Sequence, residues 1–223
     1  MSVANALRSV PLFTELRDED MERISQVARD RPYRKNSVIV FEEDPGDALY
    51  VVKKGQVKVV LVGEDGREVI LSTLKQDEFF GEMALIDDEP RSATVIAMED
   101  STLLVVRRQD FQNLLDDCPR IAVGLLRALT KRLRQADQQI GGLVLLDVPG
   151  RIARLLLEKA DEHDGVHVKQ KLTHHMIAQM IGSSRETVSR SIRSLVERGL
   201  ITTSRAGIAV ADRKAMEAAA GRY

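Results

Sequence analysis

A single cysteine, Cys118, excludes an intramolecular disulfide and any four-cysteine cluster within one chain. It reads as filling a helix face rather than as a reactive thiol. No run of apolar residues is long enough to span a bilayer and no signal peptide is evident, so a cytoplasmic protein without a membrane partner is expected. There is no nucleophile–base pair, no metal cluster and no P-loop lysine motif, which leaves an enzyme as the weakest functional class. Internal repeats and low-complexity segments are also missing. An excess of positive charge is missing too: 33 basic against 34 acidic residues give a formal net charge of −1. Hydrophobic content of 43% and charge of 30% fit a globular protein, and 223 residues leave room for two domains.

Charge distribution says more than its sum. Between Arg185 and Arg205 lie five arginines (185, 190, 193, 198, 205) and two glutamates (186, 197), a local net of +3. Acidic residues collect elsewhere, as in Glu42-Glu43-Asp44 and Asp87-Asp88-Glu89. An acidic body with a basic edge can bind DNA with salt-sensitive affinity. The basic stretch continues a two-helix pattern over residues 172–201. Thr173 can cap the first helix, Ile177 and Ile181 share its inner face, and Gly182 can end it in a left-handed conformation. Ser183 or Ser184 opens the second helix, whose Val188, Ile192 and Leu195 recur at i, i+4, i+7. Arg185, Glu186, Ser189 and Arg190 are left on the outer face. Arginine can donate twice to guanine and glutamate can accept from the cytosine amino group, so this face suits the major groove. The alternative is a surface helical hairpin with solvated charges.

Residues 1–30 read as short helices with a packed turn at Leu12, Phe13 and Leu16. From about 36 to 107 the pattern changes to short β-rich runs, including a hairpin at Gly63-Glu-Asp-Gly66, which implies a sandwich or a roll. From about 108 the period is helical. Leu126, Leu129, Leu133, Ala136, Ile140 and Leu143 follow a 3,4 spacing, an a/d seam that suits a parallel homodimer, or else packing within its own domain. Asp147-Val-Pro-Gly150 marks a hinge with Asp147 as cap of the next helix. ITTS (201–204) and GIAV (207–210) predict a β-hairpin wing turning at Arg205-Ala206, and 211–220 a short helix or frayed tail.

The second informative segment is FGEMALIDDEPRSATV, residues 80–95. Gly81 permits close backbone approach, and Glu82 to Ile86 can form a short helix with free N–H groups for an anion. Arg91, held by Pro90, can pair bidentately with phosphate, and Ser92 adds a hydroxyl. Glu82 suits such a place if it accepts from a sugar hydroxyl. The set describes a pocket for a sugar phosphate; a surface turn with a structural arginine is the alternative.

These motifs together resemble the cyclic-AMP receptor protein/FNR (CRP/FNR) family of bacterial transcription regulators over nearly the whole chain. The resemblance implies an α+β protein: a cyclic-nucleotide-binding β-roll of jelly-roll-like form (1–107), a long dimerisation helix region (108–146) and a C-terminal winged helix-turn-helix (147–223). It implies ligand binding by Gly81, Glu82, Met83, Ala84, Arg91 and Ser92, with Glu82 on the ribose 2′-hydroxyl and Arg91 and Ser92 on the cyclic phosphate. It implies base reading by Arg185, Glu186 and Arg190, phosphate contacts by Thr173, Ser184 and Thr187, and a TGTGA inverted repeat as target. RNA polymerase and a second copy of the chain are expected partners. Iron–sulfur members need several cysteines, and haem members commonly use a sensor-domain histidine. All four histidines here (163, 167, 174, 175) follow the hinge, so no metal, haem or cluster is expected. Where cyclic-AMP sensors of the family place hydroxyl side chains on the dimer helix, this chain has Ala136 and Asp137. Asp137 can accept from the amino group of adenine or from N1–H and N2–H of guanine. Cyclic AMP is thus the first expected effector and cyclic GMP the second. A regulator that binds DNA without ligand, and a nucleotide-binding module acting on a partner protein, are the rival readings.

Overall fold

The computed structural model describes residues 3–204 and 207–221, so the wing turn expected at Arg205-Ala206 lies outside the described residues. The chain divides into two compact units, Met1–Leu133 and Arg134–Tyr223.

The first unit opens with α1 (Val3–Arg8) and α2 (Asp18–Val27). The strands follow: β1 (Arg29–Tyr33), β2 (Val38–Val40), β3 (Ala48–Lys54), β4 (Gln56–Val62), β5 (Glu68–Lys75) and β6 (Phe79–Phe80). One helical turn, α3 (Met83–Ile86), separates them from β7 (Thr94–Ala97) and β8 (Ser101–Arg107). Then come α4 (Arg108–Asp117) and the first part of α5 (Pro119–Leu145). The strands build two four-stranded antiparallel sheets, β1-β8-β3-β6 and β2-β7-β4-β5. Alternation alone would put Val57 and Val59 on one face. A bulge between Val59 and Val60 resets the phase, so Val57 and Val60 are the buried pair. The helices cap this β-structure with a core that includes Leu7, Phe13, Ile24, Phe111 and Ile121.

Two expectations need correction. The helical reading of 1–30 runs two residues too far: Arg29–Tyr33 is an edge strand on β8; its side chains are mostly exposed, so it carries no alternating signal, and Pro32 is tolerated at an edge. The helical region from 108 is not continuous: it breaks at Cys118, and Pro119 opens α5, where its missing N–H breaks no helical bond. Cys118 is buried at that junction, with Sγ 3.8 Å from the Asp20 carboxylate.

Glu43 holds φ at 67°, a left-handed conformation that crowds a Cβ. Its N–H donates to the Arg91 carbonyl at 2.9 Å, which fixes the turn. Glu43→Gly relieves the crowding but frees the unfolded chain. The net expected is a stabilisation of about 0.5–1 kcal/mol, readable as a rise in urea midpoint. A lower midpoint would mean that the Glu43 side chain holds the turn.

The second unit carries the end of α5, then α6 (Val148–Asp161), β9 (His167–Val168), α7 (His174–Ile181), α8 (Arg185–Glu197), β10 (Ile201–Ser204), β11 (Gly207–Val210) and α9 (Arg213–Ala219). Asp147 caps α6 by accepting from the Gly150 N–H at 2.8 Å, with Pro149 in the first turn. The tail is thus a helix, α9, capped by Asp212. β9 adds an unanticipated third strand beside the β10–β11 hairpin. Ile152, Leu156, Ile177, Val188, Leu195 and Met216 lie in the core of this unit.

Candidate ligand cassette and DNA-facing helix

The cassette residues come together between β6 and β7. Gly81 has φ 86°, and a Cβ there would meet the Ala48 carbonyl oxygen at 2.9 Å, so glycine is required on both counts. Its carbonyl accepts from Arg91 Nη1 at 2.9 Å. Arg91 Nη2 donates to the Ala48 carbonyl at 2.9 Å and to Asp47 Oδ1 at 3.0 Å. Arg91 is only 4% exposed, and its guanidinium lies 5.6 Å from the Tyr50 ring centroid. Tyr50 stacks on Phe80 at 4.9 Å, and burial pushes its hydroxyl pKa up. The backbone of Arg91 is tied as well, its N–H donating to the Asp44 carbonyl at 2.9 Å. Far from a loosely held surface residue, Arg91 is built into the sheet edge.

Glu82 is 1% exposed. Its Oε1 accepts from Arg132 Nη1, and Arg132 Nη2 donates to the Phe79 carbonyl while the guanidinium lies 4.9 Å from the Phe79 ring centroid. The sequence reading missed Arg132, because fifty residues separate the partners and TKRLRQ offers several equivalent cations. Among the described residues, Glu82 Oε2 and Arg91 Nε are buried without a hydrogen-bond partner. One spare acceptor and one spare donor thus flank Gly81. Ala84 is buried, Met83 is exposed, and Ser92 is exposed with Oγ 3.9 Å from Met83 Sδ. Ala136 and Asp137 are exposed on the part of α5 that belongs to the second unit.

The helix pair at 174–197 is capped as its residues dictate. Thr173 Oγ1 accepts from the Met176 N–H at 3.1 Å, Gly182 ends α7 at φ 63°, and Ser184 Oγ accepts from the Thr187 N–H at 3.1 Å. Val188, Ile192 and Leu195 are buried; Arg185, Glu186 and Arg190 are exposed. Arg190 Nη2 lies 3.4 Å from Thr187 Oγ1. His174 is not fully solvated: its Nδ1 is 2.8 Å from Ser189 Oγ on α8. Among the described residues no group of three or more His, Cys, Asp or Glu could hold a metal, and no helix is long and apolar enough to cross a membrane.

Residues 30–118 match the cyclic nucleotide-binding domain family and residues 150–219 the Crp-like helix-turn-helix domain. The cyclic AMP receptor protein of Thermus thermophilus is 34% identical over 195 residues, 87% of this chain and 89% of that one. This chain belongs to the CRP/FNR family. A CRP-like cAMP-activated global transcriptional regulator of Mycobacterium tuberculosis is 31% identical over 81% of this chain and 83% of that protein. The structure of the c-di-GMP-responsive global regulator CLP of Xanthomonas campestris superposes with a TM-score of 0.76 at 26% identity, over 88% of this chain and all of CLP. As a CRP/FNR member the chain is a cyclic-nucleotide-binding transcription regulator, not an enzyme.

Proposed function

We propose that this CRP/FNR protein is a homodimeric transcription factor that binds a TGTGA-type palindrome in response to a cyclic nucleotide, with cyclic AMP as the first candidate. The observation that carries the reading is the pair of spare buried groups at Gly81. Glu82 Oε2 can accept from a ribose hydroxyl and Arg91 Nε can donate to a phosphate oxygen, two polar needs that a cyclic nucleotide meets together. Gly81, Met83 and Ala84 supply backbone, and Ser92 an exposed hydroxyl, beside them.

Base choice falls to Asp137, with Ala136 adding no hydrogen bond. Asp137 accepts equally well from adenine and from guanine, so a guanine nucleotide such as cyclic GMP is the second reading. The dimer reading rests on α5. Leu126, Leu133 and Ile140 are spaced by seven and are 63%, 63% and 60% exposed, an apolar stripe that a second α5 can cover. DNA-facing roles fall to Arg185, Glu186 and Arg190 for bases and to Thr173, Ser184 and Thr187 for phosphates. The Thr173 cap hydroxyl accepts through a lone pair and keeps its hydrogen for a phosphate oxygen, while Ser184 Oγ and Thr187 Oγ1, 3.0 Å apart, use one hydrogen between them and keep the other. Nucleotide then acts by population shift: it must bind the DNA-competent dimer more tightly than the other form. RNA polymerase is the further partner proposed for this role.

Fluorescence anisotropy of a labelled TGTGA-N6-TCACA duplex, at one fixed salt concentration, tests the reading with no ligand, with cyclic AMP and with cyclic GMP. Tight binding only with cyclic AMP is expected. Equal binding in all three conditions would replace the switch by ligand-independent DNA binding. Arg185→Ala is expected to weaken the specific complex by about 1–3 kcal/mol and to relax selection at one base pair. A uniform loss across all base variants would reassign Arg185 to the phosphates.

A further inference from the structure

Arg108 is the first residue of α4, directly after β8, and it was not among the residues the sequence singled out. Its side chain makes three contacts on two separate segments. Nε donates to the Gly46 carbonyl at 2.8 Å, Nη2 donates to the Ala84 carbonyl at 2.7 Å, and Nη1 pairs with the Asp88 carboxylate. Its backbone N–H donates to the Asp47 carbonyl at 2.8 Å.

Each contact has a local cause. α3 is a single turn, so its last carbonyls lack N–H partners from a continuing helix. Asp88, at φ 58°, turns the chain away, and the Arg108 guanidinium supplies the donor and the positive charge that a helix C-terminus favours. The Gly46 turn lies directly on α3: a Cβ at Gly46 would collide with the Ala84 Cβ. Asp47 is shared, its carbonyl taking the Arg108 N–H and its carboxylate taking Arg91 Nη2. Leu85 of α3 packs in the same buried cluster as Phe111 and Leu114 of α4 and Ile121 of α5.

We propose that Arg108 is the positioning residue of the cassette, holding the end of α3 and the Gly46–Asp47 turn against the start of α4 in the arrangement that takes up the nucleotide. The proposal rests on the cyclic-nucleotide reading for its functional part. Arg108 touches no ligand group in this scheme; it acts through the Ala84 carbonyl and through Asp47, which holds Arg91. The guanidinium fork matters because it serves three acceptors in fixed directions, which a lysine ammonium on a flexible stem does not reproduce.

The test uses the full-length protein with Arg108→Met, Arg108→Lys and Asp88→Asn. Asp88→Asn tolerates the left-handed backbone and removes only the ion pair, so it keeps the proposal testable if Arg108→Met does not fold. Amide hydrogen exchange is followed without nucleotide, and cyclic AMP binding by calorimetry. For Arg108→Met, exchange at residues 83–88 is expected to rise about tenfold, with exchange in α7 and α8 unchanged, and cyclic AMP affinity to fall about tenfold. Arg108→Lys and Asp88→Asn should fall between that variant and the parent. Parental exchange at 83–88 would overturn the clamp. A uniform rise across the first unit with parental nucleotide affinity would also overturn it, by making Arg108 merely structural. If the parent itself binds neither cyclic AMP nor cyclic GMP, the nucleotide reading fails. The local exchange at 83–88 still decides the clamp.

Discussion

Arg91→Lys is expected to fold and to bind cyclic nucleotide about 100-fold more weakly than the parent. The ammonium keeps the charge and can serve one or two of the acceptors at Gly81, Ala48 and Asp47. It cannot also present the spare Nε–H that the guanidinium holds beside Gly81. Arg91→Ala should abolish binding and also destabilise the first unit by about 2 kcal/mol, because buried acceptors lose their donor. The same side chain bridges β3 and the Gly81 turn, so its loss is expected to reach the fold as well as the ligand. Calorimetry with cyclic AMP beside urea unfolding separates the two effects. Parental affinity in Arg91→Lys would take the guanidinium out of ligand binding.

Leu133→Asp is expected to convert a dimer into monomers and to weaken binding to the palindrome by about 10²–10⁴-fold. That is the advantage of engaging two half-sites through one linked molecule. Leu133 is 63% exposed in the single chain, so the folded protomer loses little by the change. In a paired seam the same carboxylate would be buried against apolar neighbours, at heavy desolvation cost. Light scattering on a sizing column gives the mass, and anisotropy on full and half sites gives the affinity. A dimer of unchanged stability would place the subunit contact elsewhere. A monomer that still prefers the full site as strongly as the parent would sink the two-half-site model.

Much of the DNA-facing helix pair was legible because its signals are local. A cap hydroxyl, a left-handed glycine and a buried period of four act within a few residues, and Asp147, Thr173, Gly182 and Ser184 each sit where such signals put them. The strands β3, β4, β5 and β8 were legible as alternating or apolar runs, and α3 as a short helix after Gly81. Two-residue strands such as β6 and β9 carry no period to read, and the exposed edge strand β1 lacks an apolar face. Of the a/d set on α5, Leu129 packs partly on the core of its own unit, while Leu126, Leu133, Ile140 and Leu143 are exposed.

The sequence by itself determined the order of elements, the capped helix pair with its basic outer face, and the residue types gathered at 81–92. These follow from interactions between near neighbours, whose geometry spacing alone sets. Only the tertiary structure decided which charges meet. Glu82 pairs with Arg132, Arg91 with Asp47, and Arg108 with Gly46, Ala84 and Asp88, contacts that span from 20 to 62 residues of chain. Nothing in local spacing selects one arginine among several for a distant carboxylate. The choice is made when sheet pairing and core packing bring the segments together and burial penalises every charge left unmatched.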